Sequence, residues 1–293
     1  MLRIGALGKL LPSRIESDNR LDATRSPKME SKITLTSTGG IALVTMENPA
    51  GANTVDRVFC QEMLGALQEI ERLPDCRVAI LRARGKIFSA GGDLVQILDG
   101  LRRSDSFLES LIGELNATIM AIRRLPVPVI ASVQGAAAGA GFSLAMACDM
   151  VVASHAARFV VGYAKLGTSS DGGLSFHLAR RLGAARALEI MLTQDSLTAH
   201  EARELGLVQV IADPSSLEDA SLALARKLID LPASAVRETK SLVGMAAENE
   251  LECHLEQEKQ AFLRCAATEA FSERVAQFVA RSNSSSSGRT SDS

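Results

Sequence analysis

Apolar and polar residues alternate over Ile33-Thr-Leu-Thr36, and Ile41-Ala-Leu-Val-Thr-Met46 is apolar except at Thr45, with Gly39-Gly40 between the two runs. Two short strand-like runs on either side of a glycine pair predict a β-hairpin. From Val55 to Leu73 the apolar positions recur every three or four residues, which predicts a helix that stops at Pro74. The pattern then keeps switching. Short apolar runs at Val78–Leu81, Val129–Val133, Met150–Ala153, Arg158–Val161 and Leu207–Ile211 read as strands. Helical spacing appears from about Leu94, over Phe107–Leu125, and along a small-residue stretch ending at Cys148. It returns over Leu174–Leu182, Ala184–Thr193 and, behind a Thr198 cap, Ala199–Leu205. Strands separated by helices imply parallel crossovers, hence an α/β core over residues 31–225. Beyond it, Leu217–Leu231 and Ser234–Ala280 follow helical spacing with Pro232 as the one break, so residues 226–281 are expected to form a C-terminal helical region. Residues 1–30 are expected to be a disordered extension, with Met29 as an alternative start, and the Ser-rich residues 282–293 a disordered tail.

Composition then narrows the picture. Hydrophobic residues make up 46% of the 293, but aromatics only 3%, with no Trp and one Tyr, so the core must be aliphatic and packed through Ala and Gly. A net charge of -2 leaves no footprint for a polyanion, and nucleic acid is not an expected partner. Cys60, Cys76, Cys148, Cys253 and Cys265 are odd in number and lack ligand-like spacing. They read as reduced thiols of a cytoplasmic protein rather than a disulfide or metal framework. Leu125–Cys148 carries no charge and is long enough for a membrane span. Pro126, Pro128, Ser132, Gln134 and the glycines that follow favour a buried strand, loop and helix instead. Glu16, Asp18 and Asp22 argue against a transit peptide at the start.

The chemistry-bearing features are two glycine-rich stretches, Phe88-Ser-Ala-Gly-Gly-Asp-Leu94 and Gln134-Gly-Ala-Ala-Ala-Gly-Ala-Gly-Phe142. Each follows a strand and opens a helix. Backbone N–H groups in such loops, at the positive end of a helix dipole, favour a developing negative charge. Two of them on one sheet edge suggest a pair of donors aimed at one oxygen, an oxyanion hole. Close helix–sheet packing is the other reading of the same glycines.

Over residues 31–280 the chain resembles the crotonase (enoyl-CoA hydratase/isomerase) superfamily. The resemblance rests on Lys86-Ile-Phe-Ser-Ala-Gly-Gly-Asp-Leu94, on Pro128 through Gly141, and on Leu144-Ala-Met-Ala-Cys-Asp149. Leu166-Gly-Thr-Ser-Ser-Asp-Gly-Gly173 and Ala202-Arg-Glu-Leu-Gly-Leu-Val208 complete it, in the same order. It implies a spiral of β-β-α units with a C-terminal helical region, a homotrimer or dimer of trimers, and an acyl-CoA substrate. No cofactor beyond that coenzyme A moiety, no metal and no membrane are implied. The N–H groups of Gly92 and Ala140 would form the oxyanion hole; Ala140 stands where the family usually has glycine. Ala52, Ser89 and Ala90 match positions that line the coenzyme, mostly through main-chain contacts.

One mismatch is informative. The two glutamates that family hydratases use would fall at Ser143 and Tyr163. Neither hydroxyl is acidic enough to activate water alone, which argues against ordinary hydratase chemistry unless another acid, such as Glu114, enters the site. Asp171 resembles the aspartate of 1,2-epoxyphenylacetyl-CoA isomerases, a proton shuttle, and that of 4-chlorobenzoyl-CoA dehalogenases, a nucleophile. It also stands where it could cap the helix after Gly172-Gly173. Tyr163 either orients substrate or fills space. Asp93 and Asp149 are expected to brace loops, and His155, His177, His200 and His254 to lie outside the chemistry. The resulting expectation is an enoyl-CoA isomerase with Asp171 as proton shuttle. A hydratase, a hydrolase or dehalogenase with Asp171 as nucleophile, and a non-catalytic acyl-CoA binder stay open.

Overall fold

The computed structural model describes residues 31–104 and 106–287, with side chains described as far as residue 281. The expected extension over 1–30 and the end of the tail lie outside the described residues. In chain order the elements are β1 (Ile33–Thr38), β2 (Ile41–Met46), α1 (Arg57–Arg72), β3 (Val78–Ala83), α2 (Leu94–Arg103) and α3 (Phe107–Arg124). Then come β4 (Val129–Val133), β5 (Ala136–Ala138), α4 (Ala140–Ala147), β6 (Met150–Ser154) and β7 (Arg158–Val160). α5 (Leu174–Leu182), α6 (Ala184–Thr193), β8 (Ser196–Thr198), α7 (Ala199–Glu204) and β9 (Val210–Ala212) follow. The chain ends in α8 (Leu217–Ile229), α9 (Ala233–Met245), α10 (Leu251–Ala266) and α11 (Glu269–Ser287).

The hairpin β1–β2 is antiparallel, and every later strand adds in parallel to give the order β1-β2-β3-β4-β6-β9. Parallel strands need helical crossovers that cover both faces of the sheet, so the strands read as unbroken apolar runs. Register resolves those runs into two faces. Val78, Ile80, Ile130 and Val152 pack with Leu217 and Ala225 of α8 on one side. Ala79, Leu81, Val129, Ala131, Val133 and Val151 face the other side, against α1, α3 and α4. α8 thus crosses the expected boundary at residue 225 and packs on the sheet.

A second, three-stranded sheet, β5-β7-β8, stands beside the first. Two of its strands are absent from the sequence reading. Ala136–Ala138 and Ser196–Thr198 are three residues each, too short to show a period, and β7 pairs with both. β9 is Val210–Ala212 rather than Leu207–Ile211, because Leu207 and Val208 both turn back to donate to the Ala202 carbonyl behind α7. The expected continuous helix over Ser234–Ala280 is three helices. The N–H groups of Glu248 and Asn249 both fold back to the Met245 carbonyl, and that of Ala267 to Leu263, closing turns at each break. The last helix continues to Ser287, past the expected start of the tail. An existing helix extends at little cost through residues of middling propensity such as serine.

Candidate active site

The two glycine stretches are brought together by backbone pairing. Phe88 and Ser89 donate their N–H groups to the Ala136 carbonyl at 3.0 and 3.1 Å, and Ala138 donates to Ser89 at 2.9 Å. This zips the first loop onto β5. Only residues without side chains permit it at two points. A β-carbon on Gly91, whose φ is +86°, would sit 2.5 Å from the Ala138 oxygen and 3.2 Å from the Ala140 nitrogen. One on Gly141 would sit 2.7 Å from Ser89 Cβ. Gly92 follows Gly91 and bridges to Val55. Ala140 is the first residue of α4, behind Gly139. Among the described residues neither the Gly92 nor the Ala140 N–H meets a protein acceptor. An unpaired first-turn donor is what a helix start leaves over, and here it stands beside the Gly91–Gly92 turn.

Behind the first loop lies a strained turn that the sequence reading missed. Ala52 and Asn53 both have positive φ, 53° and 51°, in a region that Asn tolerates better than most residues. Buried Asn53 holds the turn, donating to the Arg84 and Ile87 carbonyls at 3.0 and 2.9 Å and accepting from Asn48 N–H at 2.9 Å. Ala52 accepts from Ala90 N–H at 3.0 Å, and Ser89 Oγ donates to the Asn53 carbonyl at 2.8 Å. Ala52, Ser89 and Ala90 therefore converge. Ser89 is wholly buried, however, and its hydroxyl also accepts from Gly91 N–H at 3.2 Å. It shapes the loop and presents no surface, leaving partly exposed Ala52 and exposed Ala90 for contact. Asp93 braces its loop as expected, capping α2 by accepting from Val95 and Gln96.

The first turn of α4 also carries Ser143, which joins the second half of the site. Tyr163 Oη donates to Asp171 Oδ1 at 2.6 Å and lies 3.3 Å from Ser143 Oγ. Ser143 Oγ donates to the Asp171 carbonyl at 2.9 Å. A β-carbon on Gly139 would stand 3.8 Å from the Tyr163 hydroxyl, so these three residues adjoin the Gly139–Ala140 turn. Burial, and then the negative charge of Asp171, pushes the Tyr163 phenol well above its ordinary value. It stays protonated and can only donate to the carboxylate. Asp171 is not the helix cap. Gly173 occupies that position and makes no side-chain cap bond, while the Asp171 carboxylate turns to Tyr163. Its Oδ2 has no protein partner among the described residues. Glu114 is already engaged: Arg57 Nη2 is 2.7 Å from it and Gln61 donates at 3.3 Å. The site thus offers two unpaired N–H groups, one carboxylate with a free oxygen, the Tyr163 hydroxyl that holds its other oxygen, and the Ser143 hydroxyl bonded to the main-chain carbonyl of the same residue.

Comparison with known proteins identifies the family. Residues 36–287 match the family model described as enoyl-CoA hydratase/isomerase, and the chain belongs to that family, within the crotonase superfamily. It is 31% identical over 252 residues to 1,2-epoxyphenylacetyl-CoA isomerase of Escherichia coli strain K12, covering 85% of this chain and 96% of that one. It is 34% identical over 180 residues to trans-2-decenoyl-[acyl-carrier-protein] isomerase of Streptococcus mutans, covering 61% of this chain and 68% of the relative. The crystal structure of an enoyl-CoA hydratase from Polaromonas sp. JS666 superposes with a TM-score of 0.82 at 35% identity, covering 85% of this chain and 97% of that one. Relatives named as hydratases and as 4-chlorobenzoyl coenzyme A dehalogenases stand beside these. Among the described residues no helix is long and apolar enough to cross a membrane.

Proposed function

We propose that the protein is an enoyl-CoA isomerase acting on an acyl-CoA thioester. The thioester oxygen would lie between the N–H groups of Gly92 and Ala140, which stabilise the enolate formed when a proton leaves the acyl chain. The free oxygen of Asp171 takes that proton and returns it to a different carbon, moving the double bond between the β,γ and α,β positions. Tyr163 positions the carboxylate, and Ala52 and Ala90 lie along the coenzyme. The carrying observation is the 2.6 Å bond between Tyr163 and Asp171, which holds one oxygen of the carboxylate and leaves the other open. The names of two relatives, an epoxyphenylacetyl-CoA isomerase and a decenoyl-carrier isomerase, support the same class of reaction.

A second reading has its own support. An open carboxylate oxygen can also attack carbon, and 28% identity over 264 residues to a 4-chlorobenzoyl coenzyme A dehalogenase of Arthrobacter favours keeping it. The two part on one measurement. The isomerase exchanges solvent deuterium into the acyl chain without releasing free coenzyme A or halide, and Asp171→Asn lowers that exchange by about 10²–10⁴-fold. Exchange undiminished in Asp171→Asn defeats the first reading, and halide release undiminished in the same variant defeats the second. Halide release without exchange defeats the first.

Assembly as a homotrimer or dimer of trimers belongs to the same proposal. Leu255, Phe262 and Leu263 on α10 and Val275, Phe278 and Val279 on α11 are exposed, as faces awaiting a partner would be.

A further inference from the structure

Under α9 lies a cavity of about 500 Å³ whose charged residues are Arg123 of α3, Asp149 after α4, Arg181 of α5 and Lys240 of α9. Asp149 is shared: its Oδ1 lies 3.2 Å from Arg123 Nη1, and its Oδ2 lies 2.7 Å from Lys240 Nζ. The same Oδ2 accepts from Val129 N–H at 2.8 Å. Arg181 donates to the Met146 and Cys148 carbonyls at 2.9 and 3.2 Å and to the Met146 sulfur at 3.2 Å. It has no carboxylate partner among the described residues. Three cations therefore face one carboxylate, leaving a net charge of plus two (3 − 1) in a partly desolvated chamber. The carbonyl end of α4 offsets a fraction of that charge, but among the described residues no second carboxylate lines this cavity. A cation in such a place is costly without a partner.

The walls are of the opposite character, with Met150, Leu228, Leu231, Val236 and Val243 lining the rest. A second cavity of about 810 Å³ shares Arg123, Arg181, Val243 and Gly244 with the first and extends to Gly172 and Gly173, next to Asp171. The second cavity's own cation, Arg180, is paired with Glu248 at 3.0 Å, so the unbalanced charge there comes from Arg123 and Arg181. Burial first, and then Arg181, Arg123 and Arg180, push His177 down to about 4, so its ring is neutral near pH 7. An apolar chamber with surplus positive charge and unspent guanidinium donors fits an amphiphile with an anionic head. A bare inorganic anion would leave the wall unfilled, and an uncharged chain would leave the charge unmet.

We propose that this cavity binds the carboxylate of an aliphatic chain, its head against Arg123, Arg181 and Lys240 and its tail along Leu228, Val236 and Val243. Two sources present that chemistry. One is a free fatty acid. The other is the far end of an acyl group whose thioester occupies the candidate active site, reaching in through the second cavity. Binding of the free acid does not rest on the isomerase reading; the second source rests on it only for turnover.

The test uses the full chain. Octanoate, titrated calorimetrically, is expected to bind at least about tenfold tighter than octanol and to weaken as salt is added. Arg181→Met and, separately, Val236→Phe should each weaken octanoate by about tenfold or more. The second variant fills the chamber while leaving all four charges, and a thermal melt confirms that it folds. Asp171→Asn should bind octanoate as the parent does. In parallel, kcat/KM is compared for enoyl thioesters of equal length ending in a carboxylate or in a methyl group. A preference for the carboxylate that Val236→Phe abolishes assigns the site to the substrate, and octanoate binding without such a preference assigns it to a separate ligand. Absence of both, octanoate binding no tighter than octanol with no such preference, or effects unchanged in a folded Val236→Phe, overturns the proposal.

Discussion

Gly91→Ala should separate the two loops on which the proposed oxyanion hole depends. The added methyl would meet the Ala138 oxygen at 2.5 Å. Ordinary C···O contacts begin near about 3.3 Å, so about 0.8 Å must be recovered by movement. The obstacle is backbone, not a flexible side chain, and it is tied down by the Ala138 N–H bond to Ser89 at 2.9 Å. The first loop must therefore shift against the second, carrying Gly92 away from Ala140. A misplacement approaching 1 Å costs about 10²-fold in rate, as does loss of one oxyanion donor, equivalent to about 2.7 kcal/mol. The positive φ of +86° adds about 1–2 kcal/mol of backbone strain for alanine, which falls on stability. Gly39→Ala isolates that part, because Gly39 has φ +56° and nothing within 4 Å of the new methyl, in the hairpin turn away from the site. Both variants should lower the melting temperature by a few degrees. Only Gly91→Ala should lose kcat/KM for double-bond migration in an enoyl-CoA panel, mostly through kcat, since the donors act on charge that develops in the transition state. Gly91→Ala with kcat/KM within threefold of Gly39→Ala would falsify the loop geometry as the source of catalysis.

Other perturbations reach different parts of the molecule. Tyr163→Phe removes the 2.6 Å bond to Asp171, worth about 1.5–3 kcal/mol as a hydrogen bond to a charged group. It should cut kcat by about 10–100-fold with KM nearly unchanged; an unaltered kcat would show that the hydroxyl only fills space. His177 is held at about 4 in the fold against 6.5 as its ordinary value. Between those pH values the unfolded chain binds a proton that the folded ring refuses, so this stability is present above pH 6.5 and drains as pH falls toward 4. The loss approaches about 3 kcal/mol. Urea titrations should show that slope in the parent and a flatter one in His177→Leu, and equal slopes would refute the assignment. Asp149→Asn leaves Arg123 and Lys240 without their shared carboxylate and should cost about 3–5 kcal/mol. Adding Lys240→Met should recover part of the loss, and a urea midpoint unchanged by the first substitution would sink this account.

Much of this was legible along the chain because local rules governed it. The hairpin followed from two strand-like runs around Gly39-Gly40, and α7 began at Thr198 because a capping box closes there with Glu201. The glycine loops were legible as loops, since few other residues tolerate such close backbone approach. Less legible was whatever tertiary contact alone decides. β5 is three alanines with no period of their own, and they form a strand because β7 and the Ser89 backbone pair with them. Asn53 gives no periodic signal; its role lies in carbonyls more than thirty residues ahead, at Arg84 and Ile87. Asp171 showed two faces in the sequence, cap or carboxylate at a site. The choice needed Tyr163, eight residues away across a turn, whose hydroxyl draws the side chain off the helix end.

That same tyrosine explains why two missing glutamates need not mean a dead site. Hydration adds the parts of water to two carbons and uses groups able to activate it and to supply a proton. At the first glutamate position Ser143 is fully buried and its hydroxyl is spent on the Asp171 carbonyl. At the second, Tyr163 is kept protonated by burial and by the charge it faces. Neither can take a proton from water near neutral pH. Instead Ser143 fixes the Asp171 backbone and Tyr163 one oxygen of its carboxylate, which keeps the other free. A double-bond shift requires only that a single base take a proton from one carbon and give it back to another while the thioester oxygen is held. The proposed isomerase therefore asks of this site no group beyond Asp171 and two main-chain donors. Restoring hydration would require space as well as charge. Ser143→Glu would place a second carboxylate beside Asp171 in a position with no exposed surface, and it should destabilise the fold in a thermal melt without producing hydratase activity. A stable Ser143→Glu protein that hydrates enoyl-CoA would mean that the missing acid alone, and not the Tyr163–Asp171 pair, sets the chemistry.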